Sequence, residues 1–233
     1  MGAEAHPPES PAVEPGSGRM IGTALAAGLL GAALALTLFI WLGYQVRTGE
    51  PTGFDLTVRA AVRSWESAGV SRVMWGASVF GAPVRLLPLG LLAAAAFALR
   101  GWRRGAWLVV VTITGAIVLD VGLKTLFARA RPEAFFDYYP APTSYSFPSG
   151  HALVATCFFG GIAVLLSHRL QTRLAQVLVW VVALVLIVLI GGSRVYLGVH
   201  YPTDVLGGFA VGTVWVASVA LGDRLAERRR RRA

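Results

Sequence analysis

Charge and cysteine are both scarce in this chain. Asp, Glu, Lys and Arg together make up 14% of the 233 residues, against about 25% in an ordinary soluble domain. A water-facing surface of normal polarity cannot be assembled from so few charges. One cysteine, Cys157, excludes a disulfide framework, a multi-cysteine zinc site and an iron–sulfur cluster. Acidic residues are the scarcer sign, 12 against 21 Lys and Arg, which leaves a formal charge of +9. In a soluble protein that balance would suggest nucleic acid; in a chain that is 55% hydrophobic the placement of the arginines is read against membrane topology first. The composition is that of an integral membrane protein, and no internal repeat is evident.

Residues 1–18 are rich in Pro, Glu and Gly and read as a disordered tail. The apolar run at 20–44 is too long for a secretory signal and long enough to span a bilayer. A second apolar region, 70–99, contains Pro83, Arg85 and Pro88 and exceeds one bilayer crossing, so the span is placed at about 78–99, with Arg85 snorkelling or facing the interior. Runs at 106–127, 152–167, 175–191 and about 204–221 complete six transmembrane helices. The expected fold is an all-α, polytopic helical bundle over residues 19–223, followed by a basic tail at 224–233. Residues 55–68, with apolar positions at helical intervals among Arg59, Arg63 and Glu66, predict a short amphipathic helix lying at the membrane interface.

Six spans put both termini on one side. That side carries twelve Lys and Arg, including Arg19, Arg100, Arg103, Arg104, Arg169, Arg173, Arg224 and the run 228–232, against eight on the other. Three of those eight belong to the constellation described next. The positive-inside rule therefore puts the termini in the cytoplasm, with the terminal arginine run as a topology anchor on anionic lipid rather than a nucleic-acid contact.

Three polar clusters fall on the extracytoplasmic ends of spans three to six. They are Lys124 to Arg131-Pro132, Pro148-Ser149-Gly150-His151, and Ser193-Arg194 followed by His200 and Asp204. Such groups at a membrane edge are costly unless they satisfy one another or a ligand. Lys124 and Arg131 are seven residues apart, two turns if the helix continues, so both can face one point. Lysine supplies a compact charge and arginine a planar fork matched to phosphate oxygens. Ser149 is a favoured N-cap, Gly150 permits close backbone approach, and the fourth span's free N–H groups favour an anion. Arg194 adds a third cation. Together they describe a site for a dianionic tetrahedral group. His200 precedes Asp204 by four residues, so the carboxylate can fix one imidazole nitrogen and leave the other as a nucleophile. His151, from another span, is positioned to protonate a departing oxygen. Attack by His200 on phosphorus gives a phosphohistidine that water hydrolyses, and no metal or cofactor is required because the cations neutralise the phosphoryl oxygens.

K-x6-RP, PSGH and SR-x5-H-x3-D, in that order, resemble the three-part signature of the type 2 phosphatidic acid phosphatase superfamily. The resemblance covers residues 124–204 with no signature residue missing. It implies a lipid phosphate phosphatase with His200 as nucleophile, Asp204 as its orienting carboxylate and His151 as general acid. Phosphate contacts would come from Lys124, Arg131, Ser149, Gly150 and Arg194. Glu133 and Ala152 depart from residues common in relatives at those positions and bear on head-group preference rather than catalysis. The family suggests undecaprenyl diphosphate, phosphatidic acid and phosphatidylglycerophosphate as substrates, and the sequence does not choose among them. The expected setting is a bacterial inner membrane, with a membrane lipid phosphate as the partner; no signal of oligomeric state is present.

Two rival functions use the same cations: a lipid phosphotransferase that passes the phosphoryl group to an acceptor lipid, and a non-enzymatic lipid or anion transporter. Asp120, one turn before Lys124, is expected to form a structural ion pair with it. Arg129 reads as a solvated neighbour, His168 as surface, and Cys157 as packing. The aromatics of 135–147, with Tyr196 and Tyr201, read as an interfacial belt or as a lid beside the site.

Overall fold

The computed structural model describes residues 16–136 and 142–230, with side chains from Ala26 onward. Most of the proposed N-terminal tail therefore lies outside the described residues. Among those described, all regular structure is helical: α1 (Gly16–Gln45), α2 (Gly53–Arg63), α3 (Ala68–Phe80), α4 (Pro83–Leu99), α5 (Arg103–Phe127), α6 (Gly150–Ala155), α7 (Gly161–Ser167), α8 (Arg173–Tyr196) and α9 (Pro202–Arg230). A π-helical turn, Thr156–Gly160, joins α6 to α7 in one rod. Among the described residues five segments are long and apolar enough to cross a membrane, and α3 with α4 forms a bent pair that brings the number to six if it is one broken span.

The bent pair corrects the expected second span. The helix does not begin near Ser78: α3 and α4 meet at 54° across Gly81 and Ala82. Pro83 starts α4 without an N–H, so the carbonyl of Val79 has no i+4 amide donor. Arg85 donates to that carbonyl instead, which gives this exposed arginine a capping duty rather than a free snorkelling one. The 17 residues of α4 then extend about 26 Å, close to the hydrocarbon thickness.

The helix α9 runs unbroken to Arg230, so most of the basic tail continues the last span as helix. At that end Arg104 pairs with Asp223 at 2.7 Å and Glu227 at 3.0 Å, tying α5 to α9. His168 is exposed there, as expected, against Arg224.

The short α6 lies at the centre of the bundle. Ala152, Leu153, Val154 and Ala155 are all buried, the last three packed with Leu86, Ala116, Ile190 and Val211 and Ala152 with Val195 and Val205. Its contact with α9 depends on two glycines four residues apart. A Cβ at Gly208 would lie 2.6 Å from the Ser149 carbonyl oxygen, and one at Gly212 would lie 2.7 Å from Thr156 Cβ. Small residues at this spacing let two backbones approach closely, and this approach sets α6 and the start of α9 side by side at the polar end.

The amphipathic segment forms one short helix, α2, which ends at Arg63; a turn follows before α3 begins at Ala68. A capping box starts α2: Thr52 Oγ1 accepts from the Asp55 amide, and Asp55 Oδ2 accepts from the Thr52 amide, each at 3.1 Å. Phe54 and Leu56 face outward, while Asp55 is fully buried and packs α2 onto α8 and α9.

Candidate active site

The third cluster begins where α8 ends. Arg194, in its last turn, is 1% exposed and donates to Ser78 Oγ at the end of α3. Gly198 then takes a positive φ of 77°, which turns the chain back toward the bundle. His200 follows, 1% exposed, just before Pro202 opens α9 and Asp204 enters its first turn.

The imidazole of His200 has two unlike sides. Nδ1 faces Asp204 Oδ2 at 3.4 Å and Ser146 Oγ at 3.4 Å. Ser146 Oγ itself donates to Asp204 Oδ2, so the hydroxyl bridges ring and carboxylate. The Tyr201 amide also donates to Asp204 Oδ2, at 2.8 Å. On the other side, Arg131 Nη1 lies 2.8 Å from His200 Nε2. A guanidinium can only donate, so Nε2 is the acceptor nitrogen and the ring proton resides on Nδ1. Burial, followed by the charges of Arg131, Arg194 and Lys124, holds His200 well below the ordinary imidazole pKa. The ring is neutral, with its lone pair directed at the cations.

Arg131 does not share a helix with Lys124, contrary to the two-turn expectation. The helix α5 stops at Phe127, and Ala128 adopts the left-handed conformation with φ 46°. Arg131 arrives on the irregular segment that follows, fixed by the Ser144 carbonyl at 2.6 Å and the Val199 carbonyl at 2.9 Å. Lys124 stays on α5, paired with Asp120 at 2.8 Å as expected. The start of α6 presses against this pair: a Cβ on Gly150 would lie 2.6 Å from Asp120 Oδ1 and 2.9 Å from Lys124 Nζ. Ser149 is the N-cap residue of α6, but its hydroxyl makes no cap bond. Its amide donates to the Asp204 carbonyl at 2.9 Å, while its fully buried Oγ has no partner among the described residues. His151, half-buried, hydrogen-bonds the Ser78 main chain within electrostatic reach of Arg194, His200 and Lys124. All eight expected positions therefore come together at one end of the bundle.

The main correction concerns Arg129. It is not solvated: it is 1% exposed and bonds Asp204 Oδ1 at 2.6 Å, Asp55 Oδ2 at 2.9 Å and Thr203 Oγ1 at 2.8 Å. Asp55, Thr203 and Ser146 join the site with it. An arginine next to a helix end looks like any interfacial anchor, and Asp55 looks like an N-terminal cap; only their distant partners distinguish them. The aromatic segment also divides. Phe136, Phe147 and Tyr196 are buried as packing, Tyr145 is exposed, and Tyr138 and Tyr139 lie outside the described residues. Phe147 stacks on Phe39 at 5.7 Å, which anchors the loop carrying Ser146 to α1.

Residues 105–225 match the PAP2 superfamily model. Phosphatidylglycerophosphatase B of Bacillus subtilis (strain 168) is 35% identical over 176 residues, covering 75% of this chain and 85% of the relative. The chain belongs to the PAP2 superfamily. An undecaprenyl-diphosphatase of Sulfolobus acidocaldarius is 28% identical over 195 residues, 81% of this PAP2 chain and 88% of its own length. The crystal structure of a transmembrane PAP2 type phosphatidylglycerolphosphate phosphatase from Bacillus subtilis superposes with a TM-score of 0.72 at 32% identity, covering 83% of this chain and 96% of that one. This PAP2 protein is a membrane phosphatase.

Proposed function

We propose that the protein hydrolyses terminal phosphate monoesters or diphosphates of membrane lipids at the extracytoplasmic face, through a phosphohistidine on His200. The observation that carries this reading is the divided imidazole: Nδ1 against the Asp204–Ser146 pair and the Nε2 lone pair against Arg131. The unpartnered Ser149 hydroxyl supports an oxyanion as its missing partner.

The lone pair of Nε2 attacks phosphorus and the bond from phosphorus to the lipid-side oxygen breaks. That oxygen takes a proton from His151. Arg131 keeps its proton and redirects the Nη1 hydrogen bond from Nε2 to a phosphoryl oxygen, and Lys124, Arg194, Ser149 Oγ and the Gly150 amide offer the remaining donors. The ring gains positive charge as the N–P bond forms, and Asp204 stabilises its Nδ1–H. Water then attacks phosphorus, giving a proton back to His151; the P–N bond breaks and inorganic phosphate leaves with His200 restored.

A site at the ends of membrane-spanning helices lies at head-group depth, where a lipid can present its phosphate while its chains stay in the bilayer. The relatives named above act on a glycerophospholipid phosphate and a prenyl diphosphate, and this chain is proposed to act within that class. The arginine asymmetry supports cytoplasmic termini in a bacterial inner membrane, with the 19–223 phosphatase domain between the two tails. The contrast sharpens on inspection of Arg59, Arg63 and Arg129, all on the poorer side, which are engaged with protein carbonyls or carboxylates.

The test is purified protein in detergent, offered phosphatidic acid, phosphatidylglycerophosphate and undecaprenyl diphosphate without added metal. Release of inorganic phosphate is expected, with His200→Ala lowering it by several orders of magnitude. Phosphate transferred to an acceptor lipid instead of to water would make the enzyme a phosphotransferase. Undiminished release by His200→Ala would overturn the mechanism.

A further inference from the structure

Two buried charges have no part in the chemistry above: Asp55, on the helix before the first polar cluster, and Arg129, inside it. Both are within 1% of complete burial. A buried ion pair is weak support for stability, because desolvation cancels most of the attraction. Their geometry bears on His200 more than on the fold.

Arg129 has its two terminal nitrogens on different carboxylates. Nη1 holds Asp204 Oδ1 at 2.6 Å, and Nη2 holds Asp55 Oδ2 at 2.9 Å and the Glu50 carbonyl at 3.2 Å. The Tyr201 ring covers the guanidinium at 4.2 Å. Asp55 also accepts from the Thr203 amide and from Thr203 Oγ1, each at 2.9 Å. Thr203 is the neighbour of Asp204, so Asp55 grips the start of α9 through its backbone while Arg129 grips the carboxylate next to it. The loop of bonds closes through Asp55, Thr203, Asp204 and Arg129. It leaves Asp204 one oxygen, Oδ2, for Ser146 and the His200 side.

We infer that Asp55 and Arg129 are positioning residues of the phosphatase reaction: a clamp, spanning α2, the segment after α5 and α9, that fixes the rotamer and charge of Asp204 so that its Oδ2 meets His200 Nδ1. This inference rests on the proposed role of His200 and Asp204. Without Asp55, Nη2 loses its carboxylate and the guanidinium is free to turn both nitrogens onto Asp204, drawing it away from the ring. Outer partners of this kind commonly change activity by about 10- to 100-fold in metal sites with the same ligand–carboxylate logic.

The experiment measures kcat and KM on a short-chain phosphatidate in detergent, together with melting temperature, for wild type, His200→Ala, Asp204→Asn, Asp55→Asn and the Asp55→Asn/Asp204→Asn double variant. Asp55→Asn is expected to lower kcat by about 10- to 100-fold with KM within twofold. In the Asp204→Asn background the same change is expected to cost less than threefold, because the clamp then has no carboxylate to position. Equal losses in both backgrounds, or a lower melting temperature with wild-type kcat, would reduce Asp55 to a pin between helices and overturn the inference. A normal rate in His200→Ala would instead overturn the mechanism beneath it. Should Asp55→Asn fail to fold, Arg129→Lys, which keeps the charge and loses the fork, is read in the same way; failure of both to fold beside a folded His200→Ala would also overturn it.

Discussion

At the scale of single residues, two positions show how tightly the site is built around an absent side chain and a suppressed charge. Gly150 is needed for space: its α-carbon faces the Asp120–Lys124 pair so closely that Gly150→Ala must displace the Asp120 carboxylate and the Lys124 ammonium paired with it. The expected result is a fall in kcat/KM of at least about tenfold, since a misplaced oxyanion donor alone costs that or more. Gly122→Ala, on the open face of α5, is the control and should leave activity intact. His200 makes a pH prediction. Buried and surrounded by Arg131, Arg194 and Lys124 on one side and by Ser146 and Asp204 on the other, it stays neutral below the ordinary imidazole value. The acid limb of kcat/KM, which reports the free nucleophile, should therefore fall below about pH 6.5. Arg131→Gln should move that limb upward while also raising KM; an acid limb unmoved by this change would contradict the assignment. The sign for stability follows from the same shift. The unfolded chain has the ordinary value and binds the proton first as pH falls, so this group costs nothing above about pH 6.5 and destabilises the fold progressively below it.

At the scale of elements, the apolar runs of 20 residues or so were legible because lipid requires them, and the order of the three polar clusters was legible because each is local in sequence. Less legible were the features decided by partners far along the chain. The bend between α3 and α4 depends on Pro83 removing a donor and Arg85 replacing it, a trade that Pro83 suggests and only the fold completes. The left-handed residue Ala128 broke the assumed helix between Lys124 and Arg131, yet both cations reach His200. Arg129 and Asp55 were invisible as a pair because 74 residues separate them. The α6–α9 contact carries its own prediction. Gly208→Ala sets a methyl group against the Ser149 carbonyl at 2.6 Å and the Ala152 methyl at 2.8 Å. Overpacking of this kind costs about 1–3 kcal/mol. Thermal denaturation in detergent should show a lower melting temperature, and activity should drop with it because Ser149 shifts.

At the scale of the whole molecule, the bundle brings four distant stretches of chain to one end and leaves the other end to arginines paired with Asp223, Glu227 and His168. Its proposed orientation is testable with the native cysteine as background, since Cys157 is buried. In intact cells a membrane-impermeant maleimide should label Glu66→Cys, in the exposed turn between α2 and α3, and spare Gln171→Cys, between α7 and α8, until the membrane is permeabilised. The reverse pattern would put the active site in the cytoplasm. The central claim is the covalent step. Rapid acid-free quenching of the enzyme with a lipid substrate labelled in its terminal phosphate should trap base-stable, acid-labile label on the peptide containing His200. His200→Ala should carry none and release no phosphate above background. Label on any other residue, or full turnover by His200→Ala, would contradict the account.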